Sequence, residues 1–341
     1  MTNSVELAIL DGDITAFDAD VVALKYAQDF HGADAHVARL LGERGVSMQK
    51  MRPAEGKSAY LDTRGAIRAR HVLFMGTIGL YDLRYRQIGQ LAADTLAVLA
   101  EAAPETRHLA MTIHGPGYGL DEIEAVLAQI AGLVESLDLA RRPTDLQRIS
   151  IVEIVPSRVQ RLKQYLRALP HLTGASGRWT HDAPASSPSS STKKQPQPID
   201  PAGADSDAKA LAFVAMPFGG EDAEDRFYLG IQEPVWKAHF RCERIDQEFF
   251  TGSILDRIKS KIADAEVVIA DLTGANPNVF LEVGYAWAKE VPTILVIDSE
   301  EKLRFDVIDQ RCLKFTSIRN LKELLKNEIR GLIDADVIKR S

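Results

Sequence analysis

Only two cysteines, Cys242 and Cys312, occur in 341 residues. They lie far apart and outside any CxxC or Cys/His grouping. That excludes a disulfide framework and a structural zinc site, and it predicts two reduced thiols in or near a core; no bound metal is expected. Positive charge is also short, with 41 Lys and Arg against 48 Asp and Glu for a formal net charge of −7. Such a balance argues against a nucleic-acid partner, because a broad run of phosphates would go unneutralised. It leaves room for a local basic pocket around a small anionic ligand. Long apolar runs are missing too. EVVIA at Glu266–Ala270 and PTILVI at Pro292–Ile297 have the length of strands, so no membrane partner is expected. The opening residues MTNSVELAILDGD carry acids and no basic segment, which predicts no signal peptide and a cytoplasmic chain. No internal repeat is present.

What is there suits two globular domains. The chain is too long for one ordinary core, and its 45% hydrophobic and 26% charged residues are an ordinary globular balance. Between Thr173 and Lys209 the composition shifts to APASSPSSSTKKQPQPIDPAGADSD, with almost no large apolar residue. Such a stretch cannot bury enough surface to offset its ordering entropy. It predicts a flexible Ser/Pro-rich linker over 173–209, between units at 1–172 and 210–341.

In the first unit, apolar runs predict strands at Leu7–Leu10, Val21–Leu24, Val72–Met75, Leu109–Ile113 and Ile149–Ile154. Helical patterns lie between them at Ala35–Leu41, Ile88–Ala103 and Asp121–Leu137. The alternation predicts a mixed α/β sheet covered by helices. Two loops are candidates for chemistry: Asp11-Gly12-Asp13-Ile14-Thr15, and His114-Gly115-Pro116-Gly117-Tyr118-Gly119. A glycine-rich strand-to-helix loop can bring backbone N–H groups to a phosphate. It can equally be a tight turn that needs glycine torsions, and neither GxGxxG nor GxxxxGK[ST] spacing is present to decide.

The order of AFDADVVAL at Ala16–Leu24, HVLFMGT at His71–Thr77, the Ile88–Ala103 helix and the Leu109–Ile113 strand resembles the amino-terminal, macro-domain-like part of leucyl aminopeptidases. GDITAFDADVVAL also looks like the opening of a true macro domain. The resemblance covers most of residues 5–140. The aminopeptidase's metal-binding catalytic domain has no counterpart, so peptidase activity is not implied. A macro-like fold implies a pocket for an ADP-ribose-like ligand, lined by Asp13, His114, Gly115, Gly117, Tyr118 and Gly119. The macro family's run of consecutive glycines is missing; HGADAH at His31–His36 stands about where it belongs.

The second unit reads strand Leu211–Met216, helix Phe227–Ala238, strand Arg241–Ile245, helix Ser253–Ala263, strand Glu266–Asp271, a helix opening at Pro277, and strand Thr293–Ile297. This rhythm predicts a parallel doubly wound sheet, whose ligands lie beyond the carboxyl ends of its strands. Pro217–Gly220, Asp271–Asn276 and Asp298–Glu301 then share one rim. Asn276 is a favourable N-cap and Pro277 suits the first helical position. From Leu272 to Ala288 the only charged side chain is Glu282. The helix around it is apolar on every face, which predicts a buried helix and a desolvated carboxylate. Asn278, four residues before Glu282, and Tyr285, three after, share its helical face. Asp271 should face the same crevice. Two carboxylates beside an amide and a phenol could bind a ribose, stabilise charge on an anomeric carbon or attack it. A capping or outward-pointing role for Glu282 is the alternative. Arg244 and Asp246 reach the same rim or form a solvated surface pair.

FVAMPFG at Phe213–Gly219, ADAEVVIADLTG at Ala263–Gly274 and NPNVFLEVGYAWA at Asn276–Ala288 resemble the nucleoside 2-deoxyribosyltransferase-like superfamily and related TIR-like proteins of bacterial defence systems. The match covers about residues 211–315. It implies a flavodoxin-like parallel sheet, a catalytic Glu282, an Asp271 that helps to hold ribose or base, and a base pocket lined by Met216, Pro217, Phe218 and Gly219. Thr273, Arg244, Asp246, Asn278 and Tyr285 complete the expected site. Gly-Gly-Glu-Asp follows Phe218 where the transferases tend to keep aromatic pocket residues, which counts against base transfer and makes hydrolysis at least as well supported. The expectation is an α/β protein of two three-layer domains. It cleaves an N-glycosidic bond of a nucleotide such as NAD, a substrate and not a cofactor, and serves as a defence effector with a macro-like sensing domain. A homo-oligomer is expected by analogy with TIR-like effectors. Alternatives are a non-catalytic nucleotide sensor and a housekeeping deoxyribosyltransferase.

Overall fold

A computed structural model describes residues 5–115, 120–167, 177–179, 206–217, 221–245, 254–304 and 307–340. Residues 180–205, most of the expected linker, lie outside the described residues. The chain divides into two compact units, Met1–Pro116 with Glu122–Asp207 and Gly117–Asp121 with Ala208–Ser341.

The first unit contains β1 (Val5–Asp11), β2 (Val21–Tyr26), α1 (Ala33–Glu43), β3 (Ser58–Asp62), β4 (His71–Gly76), α2 (Tyr85–Ala102), β5 (His108–Thr112), α3 (Glu122–Asp138), β6 (Arg148–Glu153), α4 (Pro156–Arg167) and β7 (Gly177–Trp179). Its seven-stranded sheet runs β3-β4-β2-β5-β6-β1-β7. Only β3 is antiparallel to its neighbour. Parallel strands covered on both faces need apolar side chains at successive positions, which is why Val21–Leu24, Val72–Met75 and Leu109–Met111 read as unbroken hydrophobic runs, with Ser150 interrupting the run in β6. Val22, Leu24, Val72 and Phe74 pack with Val37, Ala38 and Leu41 of α1. The intervening Val21, Ala23 and Leu73 are equally buried, and α2 and α4 touch the sheet as well. Helices α2 and α3 approach so closely that a Cβ on Gly132 would stand 1.9 Å from the Gly89 carbonyl oxygen. Strand β7 falls inside the stretch expected as linker and pairs with β1.

The second unit contains β8 (Leu211–Ala215), α5 (Glu221–Asp225), a π-helical stretch (Arg226–Gln232), α6 (Glu233–Lys237), β9 (Arg241–Glu243), α7 (Ile254–Asp264), β10 (Val267–Asp271), α8 (Pro277–Ala288), β11 (Thr293–Asp298), β12 (Cys312–Phe315) and α9 (Ile318–Asp334). The five-stranded sheet runs β12-β11-β10-β8-β9 and is parallel throughout. Along β8 the pleat sends Ala212 and Val214 to one core with Phe227, Ile231 and Leu321. Leu211, Phe213 and Ala215 go to the other, with Ile258, Ile262, Val279 and Val283. Helices therefore cover both faces, and the expected doubly wound sheet is present. The π register has a local cause. Pro234, early in α6, lacks an N–H, and in a regular α-helix its ring would strike the carbonyl four residues back. Widening the turn ahead of it relieves both.

One expectation is corrected. Helix α8 is not buried all round: it sinks Val279, Glu282, Val283 and Ala286, while Leu281 is 58% and Trp287 38% exposed. A helix laid on a sheet has one covered face whatever the composition of the other.

Candidate functional site in the second unit

Strand β8 sits between β9 and β10. The chain leaving β8 enters helices on one face, and the chain leaving β10 enters α8 on the other. Connections that part to opposite faces open a crevice at the carboxyl ends of the strands. A cavity of about 670 Å³ lies there, lined by Pro217 after β8, by Asp222, Ala223 and Arg226, by the turn Thr273–Pro277 after β10, and by Glu301.

Asp271 ends β10, and register places it one residue past the Ala270–Ala215 pair, beside Met216. Its side chain is 0% exposed. One carboxylate oxygen accepts from Arg226 Nε at 2.7 Å, and the other from the Thr273 backbone N–H at 3.0 Å. Asp271 is thus spent on holding an arginine and starting a turn, and it does not line the cavity. The turn passes through Gly274 at φ 77°, a left-handed conformation that glycine adopts at little cost. Both Glu301 carboxylate oxygens accept from the Gly274 N–H, at 3.0 and 2.9 Å. Thr273 lines the cavity, and its Oγ1 accepts from the Asp298 N–H at 3.1 Å. The expected N-cap is present: Asn276 Oδ1 accepts from the Asn278 N–H at 2.9 Å, with Pro277 opening α8.

Glu282 is 8% exposed. Among the described residues no hydrogen bond or ion pair falls to its carboxyl. Burial pushes its pKa up to about 7, because an ionised carboxylate there would lose hydration without compensation. It stands along α8 outside the residues that line the cavity. Asn278 is exposed and Tyr285 half-buried, with the Lys289 ammonium 5.8 Å from the tyrosine ring centre.

Arg244 is neither at the cavity lining nor a solvated surface residue. It is 8% exposed, with its guanidinium 4.2 Å over the Phe227 ring and its Nη2 donating to Glu224 at 2.6 Å. Its Nη1 also reaches the sulfur of the buried Met216 at 3.8 Å. Phe218, Gly219 and Asp246 lie outside the described residues. The residue sequence reasoning missed is Arg226. Its signal was a lone base directly after the acidic run EDAED, in the segment that leaves the expected strand Leu211–Met216 at the rim.

In the first unit Asp13 is exposed and accepts from the Thr15 N–H at 2.9 Å and the Thr15 hydroxyl at 2.8 Å, which closes its own turn. His114 follows β5, is 1% exposed, and its Nδ1 has no partner among the described residues. Burial first, then the Lys25 charge, lower its pKa to about 3. Gly115 has φ 107° and is buried. Gly117, Tyr118 and Gly119 lie outside the described residues. Nearby in the first unit Lys25 Nζ and Asp34 form a buried ion pair at 2.5 Å.

No helix among the described residues is long and apolar enough to cross a membrane, and no cluster of three or more His, Cys, Asp or Glu side chains there could hold a metal ion. No family model matches the chain, and no curated protein matches it. Among solved structures, a Trypanosoma brucei macrodomain in complex with ADP-ribose is similar at 14% identity and a TM-score of 0.39, over 47% of this chain and 68% of that one. The macro domain of ganglioside induced differentiation associated protein 2 is similar at 14% identity and a TM-score of 0.37, over 46% and 82%. An Oceanobacillus iheyensis macrodomain with ADP is similar at 14% identity and a TM-score of 0.36, over 47% and 90%.

Proposed function

We propose that the second unit binds a nucleotide-class substrate in the crevice between the β8 and β10 connections and hydrolyses its N-glycosidic bond, with Glu282 as the catalytic carboxyl. One observation carries the reading: a buried carboxyl, unpartnered among the described residues and with a pKa of about 7, on the helix that starts at the crevice. Near neutrality such a group is present in both forms. Protonated, it can give its proton to the departing base as the bond from anomeric carbon to nitrogen breaks. Ionised, it can stabilise the positive charge left on the sugar and then take a proton from the water whose oxygen bonds to that carbon. Asp271 acts at one remove, by fixing Arg226.

In this proposal the first unit handles an ADP-ribose-like ligand and controls the second, as the sequence resemblance implies for a defence effector that works as a homo-oligomer. A second reading, nucleotide binding without turnover, has its own support, since Glu282 stands outside the cavity lining. The test is release of free base from NAD, NADP and a panel of nucleosides and nucleotides, followed by chromatography. Release that Glu282→Gln abolishes is expected. Binding without release, at high protein concentration and with ADP-ribose added, would replace the hydrolase by the binding module.

A further inference from the structure

The crevice contains an arginine, Arg226, with hydrogen-bonding capacity to spare among the described residues. A guanidinium carries five N–H donors in a planar fork. Arg226 uses Nε on Asp271 at 2.7 Å; among the described residues its Nη1 and Nη2 have no partner. The side chain is 14% exposed and lines the cavity. Its plane is held by a carboxylate that is itself fixed by the Thr273 N–H.

The rest of the lining says what the fork does not receive. An anion would need further donors, and most backbone donors of the turn are already used. Thr273 N–H goes to Asp271, Gly274 N–H to Glu301 and Asn278 N–H to Asn276. Ala275 N–H goes to the Leu272 carbonyl and Val279 N–H to that of Asn276. Pro217 and Pro277 have no N–H to give. The other charged groups of the lining, Asp222 and Glu301, are carboxylates, and Asp271 already neutralises Arg226. The net negative charge of the lining therefore disfavours a phosphate beside Arg226. The site offers a rigid pair of guanidinium donors between two carboxylates, with the Asn276 amide and the Thr273 hydroxyl as further side-chain donors, which suits a neutral ring with two adjacent acceptor atoms.

We propose that Arg226 is a specificity-determining residue that reads the base of the substrate, gripping an edge with two neighbouring acceptors such as the O6 and N7 atoms of a 6-oxopurine. The inference rests on the crevice being the substrate site of the proposed hydrolase, and it narrows that site's substrate class. Adenine offers N7 beside an amino donor, and nicotinamide offers a single carbonyl oxygen, so both fit the fork less well.

The test is calorimetric titration of the full chain with inosine, guanosine, adenosine, unsubstituted purine riboside and inorganic phosphate. The Glu282→Gln chain stands in if a nucleoside is consumed. Inosine and guanosine are expected to bind roughly 5- to 150-fold more tightly than adenosine or purine riboside. Arg226→Lys keeps a cation beside Asp271 and loses the fork, so it should level the series while the chain still melts cooperatively. The ladder on the unsubstituted chain needs no variant, so a misfolded Arg226→Lys leaves the test intact. Equal affinities, a preference that survives Arg226→Lys, or displacement of inosine by phosphate would each overturn the inference. The preference without any base release would remove the hydrolase and leave Arg226's role standing. Base release without the preference would do the reverse.

Discussion

Substituting Glu282 by Gln should change how the stability of the second unit depends on pH, and the size follows from the burial of one carboxyl. Its pKa rises from an ordinary 4.5 to about 7 in the folded chain. The folded state then holds a proton that the unfolded state has released, so stability falls as pH rises between those two values and levels off above the upper one. The full difference is on the order of 3 kcal/mol, most of it lost between about pH 5 and pH 8. Gln carries no ionisable proton, so the variant should lack this slope. Its buried amide has a cost of its own, but that cost is the same at both pH values and cancels in the double difference. The assay is urea unfolding of both chains near pH 5 and pH 8, followed by the fluorescence of Trp236 and Trp287 in this unit. Wild type should lose roughly 2.5 kcal/mol more than the variant across that range. Parallel behaviour of the two chains would mean that Glu282 is hydrated or partnered in solution, and the argument for its catalytic role would go with it.

Three further outcomes are expected. Asp271→Asn leaves the Arg226 guanidinium poorly compensated and should cost about 3–5 kcal/mol; adding Arg226→Met should recover part of that loss, and an additive double variant would show that the pair is not coupled. Gly132→Ala puts a methyl group where the Gly89 carbonyl stands, so it should destabilise the first unit by about 1–3 kcal/mol despite alanine's better helix propensity; an unchanged melting temperature would contradict the close approach of α2 and α3. His114, with its pKa lowered to about 3, should show no ring titration by NMR between about pH 5 and pH 8. Because its folded pKa is depressed, the unfolded chain gains the proton first as pH falls below the ordinary 6.5, and stability should decline with acid from there.

Much of the architecture was legible because burial on both faces of a sheet leaves a local trace. The strands at Val21–Tyr26, His71–Gly76, Leu211–Ala215 and Val267–Asp271 carry short apolar runs rich in Val and Ile and bounded by polar residues, and their length and β-branched content favour a covered strand over a buried helix. The cap of α8 was equally local, one side chain reaching a backbone N–H two residues on. Strand β3 left little trace, since Ser58–Asp62 has the half-exposed pattern of an edge. Helix α9 did carry a signal, Leu321, Leu325 and Ile329 at four-residue spacing behind a Ser317 cap, beyond the residues from which a helix was expected.

The site divides along the same line. The sequence alone determined that Glu282 is the one charged group in an apolar helix and that Asp271 ends a buried strand. Partnership was decided only by tertiary structure. Asp271 meets Arg226 across 45 positions of chain, Arg244 lies over the Phe227 ring, and Glu282 meets no partner among the described residues. Periodicity reports which face of an element leaves water, because that is set by neighbours a few residues away. Whether a buried charge finds a counter-charge depends on segments that the fold brings together from afar, and no local pattern encodes that distance.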